Sequence, residues 1–367
     1  MNVINEVIVY IMVVFLCIGA IDKCLGNRLG LGQKFSEGFM AMGSLTLSMV
    51  GIVSLAPVLA SVLIPVITPI YRLIGADPSS FANMLLALDM GGYALAKEMA
   101  ATPEAELFSW VFLGTMMGPT IVFTIPIALG MIDKEDHLYF AKGILLGIIT
   151  IPIGCLVGGL VANLSLQVII PNLIPTTFFS IMVAIGLWKI PEKMITAFQI
   201  FGRIIEIVAI LGLTAISVET LTGFVVIPNM TPITEGIQIV GMIAIMLAGA
   251  FPMVAFITKL FKKHLGKLGN VLGINEVASA GLIASLAHNI PMLAMLENMD
   301  ARGKVINVAF AVSGAFVLGG HLGFVAGVNR EMVFAMIVGK LVGGLTAILL
   351  ASLVVPKTNN MIENHDY

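Results

Sequence analysis

Charge is what this sequence is short of. Asp, Glu, Lys and Arg make up 11% of its 367 residues, where a soluble domain carries about 25%. The net charge of −2 leaves no basic surface for a nucleic acid partner. Cysteine is equally scarce. Cys17, Cys24 and Cys155 lie in or beside apolar runs, with no CxxC and no Cys/His ligand spacing, which argues against a disulfide framework and a zinc site. Catalytic signatures are missing too: there is no HExxH, no nucleophile elbow, no Walker loop and no carboxylate pair on one helix face. Five histidines are scattered at His137, His264, His288, His321 and His365. Neither an enzyme nor a bound metal or cofactor is expected. The opening MNVINEVIVYIMVVFLCIGAIDK lacks a basic n-region and a small-residue cleavage pattern, so it reads as a first membrane span and not as a removed signal peptide.

Apolar residues are what is there. They form 59% of the chain, and mean hydropathy is +1.05. A span needs about 20 mostly apolar residues, which predicts an all-α polytopic membrane protein of 10–12 helical elements. Ordinary spans are expected at 4–24, 39–56, 57–73, 107–130, 140–162, 166–188, 196–220, 237–260, 305–328 and 332–355, with polar-interrupted segments at 81–99 and 277–296. Basic residues cluster at Lys23, Arg28 and Lys34, at Lys189, Lys193 and Arg203, and at Lys259, Lys262, Lys263 and Lys267. Residues 164–176 and 221–236 carry none. The positive-inside rule puts the three clusters in the cytoplasm and the N-terminus outside. The Arg302–Lys304 region suits a re-entrant second segment better than a crossing one.

The two interrupted segments resemble each other. LLALDMGGYALAKEM (85–99) aligns with SLAHNIPMLAMLENM (285–299) at an offset of 200, placing Asp89 on Asn289 and Gly91 on Pro291. At the same offset Gly114 meets Gly314. GILLGIIT (143–150) aligns with GKLVGGLT (339–346) at an offset of 196. The expectation is two related halves, 1–165 and 166–356, followed by a polar tail at 357–367, with one broken or re-entrant segment in each half. A broken helix exposes backbone groups that lipid cannot satisfy, so it must face protein, water or a ligand. Paired broken segments are the sequence sign of a midplane transport site.

Asp89 is therefore the leading candidate. A carboxylate at bilayer depth costs a few kcal/mol and defaults to a functional role. It suits a small cation, although a cap or a pair with Lys97 is the bland alternative. Met90, Gly91 and Gly92 form the break. Tyr93, four residues on, offers an aromatic face to an ammonium. In the counterpart, Asn289 could bond an amine or a hydroxyl, His288 could relay protons or be purely structural, and Pro291 breaks the helix. Glu37 is either a helix-start carboxylate favoured by the dipole or a substrate contact. Thr120 and His321 could face the cavity. Glu206, three residues after Arg203, is expected to pair with it.

An ordered series of blocks carries a family resemblance: EGFMAMG (37–43), LAPVLA (55–60), DMGG (89–92), LAKE (95–98), MMGPTIVF (116–123), TIPIGC (150–155), IPEKMI (190–195), FQIF (198–201), NIPM (289–292), MDARGKVIN (299–307), AFAVS (309–313), HLGF (321–324) and MIVGKL (336–341). Together they cover nearly the whole chain, which resembles the ethanolamine permease family of bacterial ethanolamine-utilisation operons. The resemblance implies uptake of protonated ethanolamine across the cytoplasmic (inner) membrane, with ethanolamine and the lipid bilayer as partners and room for a homo-oligomer. An alternating-access permease is the main expectation, and a channel-like facilitator for small amines is the alternative.

Overall fold

The computed structural model describes residues 2–261 and 265–356. Lys262, Lys263 and His264 of the third basic cluster, and the expected tail at 357–367 with His365, lie outside the described residues. Among those described, every regular element is helical. The chain opens with α1 (Asn2–Cys24) and a helix of 43 residues, α2 (Leu31–Leu73). The spans expected at 39–56 and 57–73 are thus one helix. No turn chemistry separates them. Pro57 removes a single backbone donor, and the one irregularity is a π-helical turn at Thr46–Val50. At 1.5 Å per residue α2 is about 65 Å long, twice the ~30 Å hydrocarbon thickness, so it runs oblique or projects. With this merger the first interrupted segment comes third in the chain and not fourth.

That segment is α3 (Ser79–Leu85) and α4 (Gly92–Met99), joined by a non-helical tip. Its two ends lie side by side: the Asp77 carboxylate accepts from Ser79 N at 2.9 Å and from Ala101 N at 3.0 Å. The segment therefore enters and leaves on one side, as a re-entrant hairpin. There follow α5 (Pro103–Met131), α6 (His137–Val161), α7 (Leu166–Lys189), α8 (Pro191–Thr222), α9 (Ile233–Phe261) and the short α10 (Leu265–Leu272). The second hairpin is α11 (Glu276–Ala287) and α12 (Asn289–Ala294). Its base is closed the same way, with Asn275 N donating to Asp300 Oδ1 at 2.8 Å and Asn275 Nδ2 to the Asn298 carbonyl at 2.9 Å. The chain ends in the broken pair α13 (Ala301–Gly314) and α14 (Gly320–Val328), then α15 (Val333–Val354). Among the described residues, eight single helices are long and apolar enough to cross a bilayer, and the broken α13–α14 pair joins the second hairpin to the last of them.

The hairpins enter from opposite faces. At the start of α6, Asp136 is ion-paired to Lys304, four residues past the base of the second hairpin. Beyond the other end of α6, Asn172 of α7 accepts from Asp77 N and from Ser80 Oγ, both at 2.8 Å, at the base of the first. The two bases are thus separated by the 25 residues of α6, about 37 Å of helix. Following the crossings in turn, the α1–α2, α5–α6 and α7–α8 turns and Val355 share the face of the second base.

Small residues close the centre. The aligned glycines of the 143–150 and 339–346 segments all sit at helix contacts. A Cβ on Gly143 or Gly147 would lie 2.5 Å from Val308 or Val312 of α13, and one on Gly339 would lie 3.0 Å from the Gly154 carbonyl of α6. Without a hydrophobic drive in lipid, such close backbone approach is what holds helices together. Thr150 adds a bond from its hydroxyl to the Gly343 carbonyl at 3.1 Å. Around this core α8 turns Ile200, Ile204, Ile207, Ile210 and Leu211 outward, as a lipid-facing helix must.

Candidate functional site

The hairpin tips are built differently. In the first, Leu86 and Ala87 are extended, Leu88–Met90 makes a tight turn, and Gly91 is left-handed at φ 86°. Only glycine takes that conformation without strain, and a Cβ there would also sit 2.2 Å from Ile52 of α2. Asn83 ties the arms together, its amide donating to the Gly92 carbonyl at 3.1 Å and to Ser109 Oγ at 2.9 Å. In the second, one extended residue, His288 (φ −162°, ψ 140°), makes the break, and its Nδ1 accepts from Ile290 N at 3.1 Å. Pro291 stands in the first turn of α12, where a missing N–H costs nothing.

Each tip rests on a glycine. A Cβ on Gly118 of α5 would lie 2.0 Å from the Leu86 carbonyl. One on Gly319, between α13 and α14, would lie 2.0 Å from the Ala287 carbonyl. The break at 315–319 pairs with the second hairpin, Phe316 N donating to the Ser285 carbonyl at 3.0 Å and Leu318 N to the Leu286 carbonyl at 2.9 Å. Phe316 itself is left-handed at φ 63°, a strained state for a bulky residue, of the kind that clusters at functional sites.

Between the tips lies a cavity of about 230 Å³. Asp89, Met90 and Ala87 face it from the first hairpin and His288 from the second, with Phe316 and His321 at the break. Ser44 and Ser48, beside and within the π-helical turn of α2, Pro119 and Phe123 of α5, and Phe251 of α9 complete its walls. Four rings cluster there. His288 is 4.7 Å from Phe316, Phe316 is 4.8 Å from His321, and Phe123 is 6.0 Å from His288 and 5.8 Å from Phe316. His321 is 2% exposed, and its Nδ1 has no hydrogen-bond partner. The ion pairs among the described residues are Lys34–Glu37 and Lys304–Asp136, so Asp89 is paired with neither Lys97 nor any other base within 4 Å. The half-buried carboxylate faces a ring-lined space, which suits a small organic cation.

The other sequence candidates stand around this space. Gly91 and Gly92 shape the tip but do not face the cavity. Tyr93 packs edge-on against Trp110 at 5.3 Å and Phe324 at 5.8 Å. Thr120 donates to the Met116 carbonyl of its own helix at 2.8 Å. Asn289 is fully buried and absent from the cavity wall, its amide donating to Thr124 Oγ1 of α5 at 2.8 Å. Asn289→Ala is accordingly expected to destabilise the detergent-solubilised protein by about 1 kcal/mol, the scale of one interhelical hydrogen bond in a membrane. An unchanged thermal midpoint would count against that bond.

Glu37, paired to Lys34 at 2.6 Å, lines with Pro291 an open groove of about 620 Å³ that shares Phe251 and His288 with the cavity. A recess of about 260 Å³ shares Ser44, Ser48 and Met90 with the cavity, and the exposed Glu206 of α8 lines it. The expected Glu206–Arg203 ion pair does not form; both side chains are exposed, where such a pair gains little. Sequence reasoning passed over Phe123, Phe251, Phe316 and Ser48. For Phe316 a signal existed, because Gly314, Gly319 and Gly320 bracket it in GAFVLGG.

The family model described as "Ethanolamine utilisation protein, EutH" matches residues 4–354. A Bacillus subtilis protein named "Uncharacterized protein YxeR" is 63% identical over 96% of this chain and 95% of its own length. Proteins named "Probable ethanolamine permease EutH" are 61% identical in Listeria monocytogenes, over 94% of this chain and 92% of theirs, and 50% identical in Escherichia coli, over 96% of each. No solved structure matches the chain.

Proposed function

The chain belongs to the EutH family of ethanolamine utilisation proteins, and from that premise we propose that it is a permease carrying protonated ethanolamine into the cell across the cytoplasmic membrane. The observation that carries the reading is Asp89, a carboxylate without an ion-pair partner among the described residues, in a small cavity between two hairpin tips. That cavity is below the 300–1,000 Å³ usual for drug-sized ligands. With about 30 Å³ to each water-sized unit, it suits a guest of four heavy atoms and a little water. Asp89 neutralises the ammonium, and the faces of Phe316 and Phe123 add cation–π attraction, on the order of 1 kcal/mol each. The unpaired Nδ1 of His321 is the partner assigned to the hydroxyl. Asn289 and Thr124 fix the second tip from behind, and Gly118 and Gly319 bring both tips inward.

Hairpins based at opposite ends of α6, each closed at its base by an acid and seated on a glycine, support two inversely related halves divided near residue 165. By the positive-inside rule, the basic turns on the face of the second hairpin support a cytoplasmic position for that face. The open groove from Lys34, Glu37 and Lys259 up to His288 is then the inner vestibule, and movement of the second hairpin against Phe251 and Phe316 alternates access. An inside-negative potential pulls the cation inward with about 2.3 kcal/mol per 100 mV.

Radiolabelled ethanolamine flux in proteoliposomes tests the reading. Saturable uptake accelerated by unlabelled ethanolamine inside is the expected result. Unsaturated flux without counterflow would make the protein a channel-like facilitator, and no flux would remove ethanolamine as the substrate.

A further inference from the structure

One buried charge has no part in the reading above. Lys340 stands in α15 within a long apolar run and is 1% exposed. An ammonium at that depth is expensive, yet its hydrogen bond is to a single backbone oxygen, the Thr115 carbonyl of α5, at 2.5 Å. Among the described residues no carboxylate lies within 4 Å of it. The Thr115 carbonyl is available for a clear reason. In an α-helix it would accept from the residue four positions on, and that residue is Pro119, which has no N–H. Pro119 lines the cavity. The Lys340 nitrogen therefore bonds α5 one helical turn from the proline that lines the cavity wall.

Backbone carbonyls freed from a helix are the ligands by which broken-helix transporters hold coupling cations. We propose that Lys340 is a tethered cation occupying the position such an ion would take, so that this protein moves its amine without sodium. The inference rests on the permease reading for its transport consequence, but not for the site itself.

Two measurements on the purified protein decide it. In proteoliposomes, wild-type ethanolamine counterflow should be equal in sodium-free and sodium-loaded vesicles. Lys340→Ala should fall about tenfold without sodium, the effect of losing one buried charge-assisted bond, and recover in part with sodium or lithium. In detergent, sodium should raise the thermal midpoint of Lys340→Ala and leave that of the wild type unmoved. A wild type that needs sodium, or a Lys340→Ala protein that transports normally without it or whose midpoint ignores it, would overturn the proposal. Absent wild-type counterflow in all ions would sink the permease reading, while the midpoint assay would still decide the tethered cation. If Lys340→Ala fails to accumulate, Pro119→Ala/Lys340→Met returns an N–H to the Thr115 carbonyl without the charge. Sodium-free transport by that variant equal to Pro119→Ala alone would reduce Lys340 to a prop for the proline and end the idea. A tenfold deficit would support it.

Discussion

Asp89→Asn should lower ethanolamine uptake at subsaturating concentration by about 10- to 100-fold while leaving the amount of protein in the membrane unchanged. The size follows from the loss of one charge-assisted hydrogen bond, about 1.5–3 kcal/mol, at 1.4 kcal/mol per decade. The direction follows from the surroundings. Among the described residues no basic side chain lies within 4 Å of Asp89, so on the proposed reading Asp89→Asn leaves the ammonium without a counter-charge in a ring-lined space. Folding should be spared, because no structural ion pair is broken. Initial-rate uptake, normalised to membrane protein by immunoblot, checks this. Wild-type rates for the variant would remove Asp89 from the site.

Gly319→Ala and Gly118→Ala should each cost about 100-fold in uptake. A methyl group at either position meets a carbonyl oxygen at 2.0 Å, and the obstacle is backbone, which cannot rotate aside. The tip must retreat by an ångström or so, and a displacement of that size costs on the order of 10² where geometry is critical. Gly43→Ala is the control. A Cβ there meets nothing within 4 Å, so uptake should stay near the wild-type rate. Equal uptake by all three variants would show that the tips need not be seated on these glycines.

The break at 86–91 was legible because its residues declare themselves: an acid and two glycines inside an apolar run have few places to go. The segments 85–99 and 285–299, picked out by their likeness, are both hairpins, but Leu86 and Ala87 are extended while Leu286 and Ala287 are the last residues of α11. Register within the tip was not legible. Alignment set Asn289 opposite Asp89, but the first tip carries a tight turn and a left-handed glycine while the second has one extended residue, so equal spacing does not give equal direction. His288 faces the cavity and Asn289 faces Thr124. The merging of two spans into α2 escaped notice because hydropathy measures how much apolar chain there is and not where it bends. Phe316 was hidden for another reason. Its conformation is imposed by hydrogen bonds to Ser285 and Leu286, partners about thirty residues away in sequence.

Arg302, just past the base of the second hairpin, donates to the Leu272 carbonyl at 2.8 Å, to that of Ser352 at 3.1 Å, and to that of Val355. One guanidinium thus stitches the end of α15 to the base of the second hairpin, which serves as a hinge if that hairpin is the inner gate proposed above. Any affinity tag or fluorescent reporter fused beyond Val355 hangs its weight on that hinge. A tagged protein that inserts normally and transports poorly would then be reporting on its own label, and the turn between α8 and α9, on the opposite face, is the sounder place for a handle.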